Sequence, residues 1–281
     1  MSARQAARGL LMIMPATLGR WCICSSDECG WQRGILRGRD PVEGREVLIK
    51  TVPFPLWGCG EGRIRAERLR QEGVIVARLA HPSIVQLLDQ GEEREMPFMV
   101  FDWQPEASLR DRLASGWRPD QTAALAIMIQ LLTGVAHVHD YGYRHGDLKP
   151  SNLLMTAEGG VQIADFGAAC RLDMPPAPEG RVTGTHGFMP PEQLMGLAVD
   201  GRADLFAVGV ILFELLTGVK PFIGGDFREV TLRVLSFTPP ELEREGLLWM
   251  LMRRALAKKP EKRFESAKQF LDAIRTLAVE C

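Results

Sequence analysis

Asparagine is almost missing from this chain: Asn152 is the only one in 281 residues. Lysine is nearly as scarce before residue 220, where Lys50 and Lys149 stand alone and arginine supplies the remaining positive charge. A composition that avoids both types keeps them where no other side chain is chemically adequate. Net charge is also lacking, and a formal value of -1 makes no field that would gather nucleic acid or an acidic membrane surface. Arg4 and Arg8 precede the apolar Leu10 to Met14, but that run falls below the ~7–15 residues of a secretory signal. The most apolar later stretch, Leu205 to Leu216, carries Glu214 and is shorter than the ~20 residues of a membrane span. It reads as a buried core helix, and a cytoplasmic protein without a membrane segment is the expectation. Six cysteines do not make a disulfide framework in a chain this long. Cys22, Cys24 and Cys29, with Cys59 later, are spaced closely enough for zinc. Cys22 and Cys24 alternate along a predicted strand, however, and read better as small hydrophobes.

What is present fits a globular protein of two lobes. Hydrophobic residues make up 46% and charged residues 25%, which argues against disorder, and the length is large for a single core. Residues 1–17 read as an extension. Trp21 with Ile23, then Gly34 to Arg39, then Glu46 to Val52 predict three antiparallel strands separated by Gly- or Pro-marked turns. A helix is expected over 63–79, with short strands at 85–88 and 98–101. Beyond Asp102 the pattern turns helical. Asp120 is placed to cap a helix running to about Asp140, apolar at Leu125, Met128, Ile129, Leu132 and Val135. Short strands at 153–154 and 161–163 and helices near 203–217, 226–236, 243–257 and 266–279 complete the reading. The division expected is a sheet lobe at 18–101 and a mainly helical lobe at 102–281, an α+β arrangement.

The scarce residues fall into one ordered set. His145-Gly146-Asp147-Leu148-Lys149-Pro150-Ser151-Asn152 is followed by Asp165-Phe166-Gly167, and Lys50 ends Val47-Leu48-Ile49-Lys50. A carboxylate, an amide and a second carboxylate at that spacing suit a divalent metal and a transferable phosphate. The set resembles the eukaryotic-like (Hanks-type) Ser/Thr protein kinases, above all bacterial ones, over residues 18–278. That resemblance implies a two-lobed protein-kinase-like fold and phosphate transfer from ATP to Ser/Thr hydroxyls of proteins. It implies Asp147 as the residue that takes the substrate proton, Lys149 on the transferring phosphate, and Asn152 and Asp165 on magnesium, with manganese as a substitute. Lys50 would hold the nucleotide phosphates, with Glu72 as its carboxylate partner in preference to Glu67. Gly30, Ile35, Leu48, Asp102, Trp103 and Leu154 would complete the nucleotide contacts. Thr185 to Glu192 resembles the segment on which protein substrates dock. Glu192 would pair with Arg263, and Asp204 would accept hydrogen bonds from the backbone around Asp147.

Three departures stand beside the resemblance. Counted back from Lys50, the phosphate-covering Gly-x-Gly-x-x-Gly becomes Glu28, Gly30 and Arg33, so only the middle glycine remains. Leu48 replaces the small residue usual against the adenine, which costs about 1–3 kcal/mol in a tight pocket. Gly146 replaces the Arg that receives a phosphorylated activation-loop residue, and Thr183 and Thr185 are the only hydroxyl residues between Asp165 and Glu192. Weakened ATP binding and activity independent of loop phosphorylation are therefore expected. The alternatives are a pseudokinase scaffold and, because His-Gly-Asp also occurs in aminoglycoside and choline kinases, a small-molecule kinase. The oligomeric state is left open.

Overall fold

A computed structural model describes residues 15–24, 28–104, 107–173, 186–239 and 246–280. Most of the expected N-terminal extension lies outside that range, as do Thr183 and Thr185. The chain forms two compact units, Met1–Gly73 with Leu87–Trp103, and Val74–Gln86 with Gln104–Cys281.

The first unit is a six-stranded antiparallel sheet in the order β1-β2-β3-β4-β6-β5. Its strands are β1 (Thr17–Leu18), β2 (Trp21–Ile23), β3 (Ile35–Arg39), β4 (Glu46–Thr51), β5 (Leu87–Glu93) and β6 (Met96–Asp102). Period-two alternation governs β4: Val47, Ile49 and Thr51 are buried, while Glu46, Leu48 and Lys50 share the other face. Ile35 pairs with Lys50 and Val47 with Asp102, so the register carries Lys50 beside the start of β3. β5 is longer than the sequence predicts, because its polar run Asp89-Gln90-Gly91-Glu92-Glu93 follows an edge rather than a core pattern.

Between β2 and β3 the chain makes a short helix, α1 (Glu28–Arg33), where the sequence predicts a turn. Trp31 is the reason. Its ring is buried and meets Phe54 and Trp57 edge-on at 5.6 and 5.9 Å, and the Trp57 indole donates to the Val52 carbonyl at 2.8 Å. Gly34 stops the helix in a left-handed conformation, its N–H on the Gly30 carbonyl at 2.8 Å. A Cβ on Gly34 would stand 2.3 Å from the Thr51 oxygen, so no larger residue fits. Helix α2 (Gly60–Val76) begins three residues earlier than expected and gives way to tight turns at Arg78 and Leu79.

The second unit is mainly helical: α3 (Leu109–Ala114), α4 (Gln121–Asp140), α5 (Pro191–Leu194), α6 (Arg202–Thr217), α7 (Phe227–Ser236), α8 (Leu247–Ala255) and α9 (Ala267–Glu280). Two small two-stranded sheets accompany them, β7 (Tyr143–Arg144) with β10 (Cys170–Arg171) and β8 (Leu153–Met155) with β9 (Val161–Ile163). Asp120 caps α4 as expected, accepting from the Ala123 N–H at 2.8 Å. By length and composition α4 is apolar enough to cross a membrane, but 56% of that apolar window is buried against the rest of the unit. It is packed like a core helix, as is α6, whose residues 203–213 are buried throughout. Residues 74–86 group with this unit rather than with the sheet. Val85 donates to Ile163 and Ile163 to Ser83, at 3.0 and 2.8 Å, which ties that segment to β9.

Candidate active site

Residues 145–152 leave β7 in a conformation fixed by one buried carboxylate. Asp204, near the start of α6, accepts from the backbone N–H groups of His145 and Gly146 at 2.8 and 2.9 Å and from His139 Nε2 at 2.9 Å. Burial alone would raise this carboxyl; the His139 bond, the nearby imidazoles and the backbone donor outweigh it and hold the pKa below the usual range. Gly146 sits at φ +78°, and a Cβ there would lie 2.8 Å from the Ala168 carbonyl oxygen. An Arg at this position would be strained by the backbone itself. His145 is buried, its Nδ1 accepting from the Asp147 N–H and its Nε2 placed 3.1 Å from the Ala164 oxygen. That pattern fixes the neutral Nε2–H tautomer, and burial pushes the imidazole pKa down despite the neighbouring carboxylates.

A 3-10 turn, Pro150–Asn152, then folds Asn152 back onto Asp147. The Asn152 amide donates to the Asp147 carbonyl at 2.9 Å and to its Oδ2 at 3.3 Å. Lys149 Nζ donates to the same Oδ2 at 2.6 Å. Two predicted residues, Lys149 and Asn152, thus converge on the carboxylate of a third, Asp147. The sole asparagine spends its N–H donors on Asp147, and its carbonyl oxygen faces the Ser151 hydroxyl at 3.4 Å.

The β8–β9 hairpin positions Asp165. The Ala164 N–H bonds the Asn152 carbonyl at 2.8 Å, so the residue before Asp165 is anchored to Asn152. Asp165 adopts φ +62°, a strained conformation for a residue other than glycine and one that clusters at functional sites. Phe166 is buried edge-on against His145 at 4.8 Å. Among the described residues no group of three or more His, Cys, Asp or Glu is arranged to hold a metal. One amide and one carboxylate oxygen instead suit a hard cation that takes its remaining ligands from phosphate and water, as magnesium does.

In the first unit, Lys50 Nζ meets both oxygens of Glu72, at 2.7 and 2.9 Å. Glu72 is buried on α2, whereas Glu67 faces solvent with Gln71 and Arg70. Of the other nucleotide-contact candidates, Leu48 shares the Lys50 face of β4 and Ile35 is exposed beside it. Asp102 accepts from Arg45 at 3.0 Å, and the Arg37 guanidinium lies 5.1 Å from the Trp103 ring. Leu154 is half-buried on β8 in the second unit. Gly30 lies inside α1, so the segment expected to wrap phosphate as an open loop is helical. Its backbone N–H groups are not laid out as the alternating glycine pattern requires.

Farther along, Arg263 grips Glu192 with two parallel bonds of 2.7 Å, both side chains buried. Arg263 also donates to the carbonyls of Ala257, Lys258 and Arg202. The sequence reading missed His139 as the side-chain partner of Asp204 and missed the Trp31 cluster. Neither left a period or a spacing by which to find it.

The protein kinase domain family matches residues 36–274. The chain belongs to that family. Its likeness is to Hanks-type Ser/Thr kinases such as those of bacteria, and the two units are the sheet lobe and helical lobe of the kinase fold. The serine/threonine-protein kinase PrkC of Bacillus subtilis is 30% identical over 264 residues, covering 92% of this chain and 40% of that protein. Serine/threonine-protein kinase pkn2 of Myxococcus xanthus is 33% identical over 282 residues, 94% of this chain and 33% of that protein. PknB of Mycobacterium leprae is 33% identical over 220 residues, 74% of this chain and 35% of that protein. The chain therefore spans about a third to two fifths of these relatives. Kinases of this family use ATP and a divalent metal, and the oxygen donors described above fit that chemistry.

Proposed function

We propose that this chain transfers the γ-phosphate of ATP to Ser or Thr hydroxyls of protein substrates. The observation that carries the reading is the convergence of Lys149 and Asn152 on the Asp147 carboxylate. In this reading Asp147 orients the substrate hydroxyl and takes its proton, and the Lys149 ammonium stabilises charge on the phosphoryl oxygens. Asn152 and Asp165 hold magnesium, which neutralises phosphate charge when bound. Lys50, held by Glu72, binds the nucleotide phosphates, and substrate docks along 185–192.

The helical 28–33 segment supports a second reading, a scaffold with little nucleotide turnover. Calorimetry with ATP, with and without magnesium, on the wild type and Asp165→Asn separates the two. Magnesium-dependent binding tighter than about a millimolar, lost in the variant, supports the kinase. No binding to either protein supports the scaffold.

A further inference from the structure

Beside the 145–152 segment, the helical unit contains a cavity of about 420 Å³. Its lining includes Lys149, Phe188, Arg110 of α3, Arg118, Glu214 of α6 and Lys220 just beyond that helix. Four cations therefore face one carboxylate. Lys149 is held by Asp147, but Arg110, Arg118 and Lys220 form no ion pair among the described residues. Arg118 donates to the carbonyls of Leu113 and Trp117 at 2.8 and 2.7 Å, which fixes the guanidinium without neutralising it. The Lys220 ammonium stands 5.4 Å from the Phe188 ring, at the docking segment. Glu214 does not restore the balance. Burial raises its pKa against the pull of Lys220 and Arg118, and its Oε2 is buried without a hydrogen-bond partner among the described residues.

We propose that this cavity is a substrate subsite for an anionic side chain, carboxylate or phosphate, close to the accepting hydroxyl, so that the chain selects acidic protein segments. The inference rests on the kinase reading, because a subsite beside Lys149 has meaning only where phosphate is transferred. A cationic side chain seated on Glu214 is the opposing arrangement, and three cations without an ion pair among the described residues oppose it.

The test uses the full chain with magnesium-ATP and four peptides built around one Thr. The flanking residues are Glu, phosphoserine, Gln or Lys. The Glu or phosphoserine peptide should be used about tenfold better than the Gln peptide in kcat/KM, and the stronger of the two names the anion. Arg110→Gln with Lys220→Gln, both exposed positions, should erase that preference. Equal use of all four peptides, preference for the Lys peptide, or a preference that survives in the double variant overturns the inference alone. Transfer to none of the four, the Gln peptide included, removes the kinase reading and the subsite together.

Discussion

Asp147 receives a donor from Lys149 and one from Asn152, the two residue types that the chain otherwise nearly avoids before residue 220. The scarcity was therefore a legible signal, because only an ammonium and an amide supply those donors on side chains of that length. Lys50 is the third such residue, and its two bonds to Glu72 hold the ammonium in one place. Replacing Lys50 with Met removes charge-assisted bonds worth about 1.5–3 kcal/mol. The affinity for ATP in calorimetry should fall by about 10- to 150-fold, and the melting temperature should fall too, because the Glu72 carboxylate stays buried without the ammonium. Gly146→Arg, which restores the residue usual in the family, should do harm. At φ +78°, with the Ala168 oxygen 2.8 Å from the new Cβ, it should cost about 1–3 kcal/mol in denaturant unfolding.

The sequence placed strands β2, β3, β4 and β6 and the core helices α4, α6 and α9 within a few residues, but it did not separate β1 from the extension and it ended the polar β5 too early. Helix α1 was not legible. Six residues are too few for a period, and the choice between turn and helix was made by Trp31 meeting Phe54 and Trp57, contacts that sequence distance conceals. Trp31→Ala should destabilise the sheet lobe by about 3–5 kcal/mol, read as a lower unfolding midpoint. Burial at the end of β7 has a different consequence. His145 is held neutral, so its folded pKa lies below that of the unfolded chain. Its contribution to stability is complete above the unfolded value of about 6.5 and is lost as pH falls from there toward the folded value. A melting series across that window should show a loss on acidification that is smaller in His145→Gln. An identical slope in both proteins would remove His145 as the cause.

The helical lobe is held across long sequence distances by few polar contacts. The Glu192–Arg263 pair joins α5 to the segment after α8, and all five Arg263 bonds lie within that lobe. Arg263→Met leaves Glu192 buried and unpaired, at a cost of about 3–5 kcal/mol. The melting temperature should drop by roughly 6–20 °C. Arg263→Lys should recover little, since an ammonium cannot make two parallel bonds. In the proposed reaction these contacts serve one end, the presentation of Asp147 to a protein hydroxyl. The most direct test is transfer of radiolabelled phosphate from magnesium-ATP to a protein substrate by the wild type and by Asp147→Asn. Proton removal by Asp147 predicts label on Ser or Thr with the wild type and a rate about 10²- to 10⁴-fold lower in the variant. Equal rates in the two proteins, or no label from a wild type that binds ATP, would contradict that role.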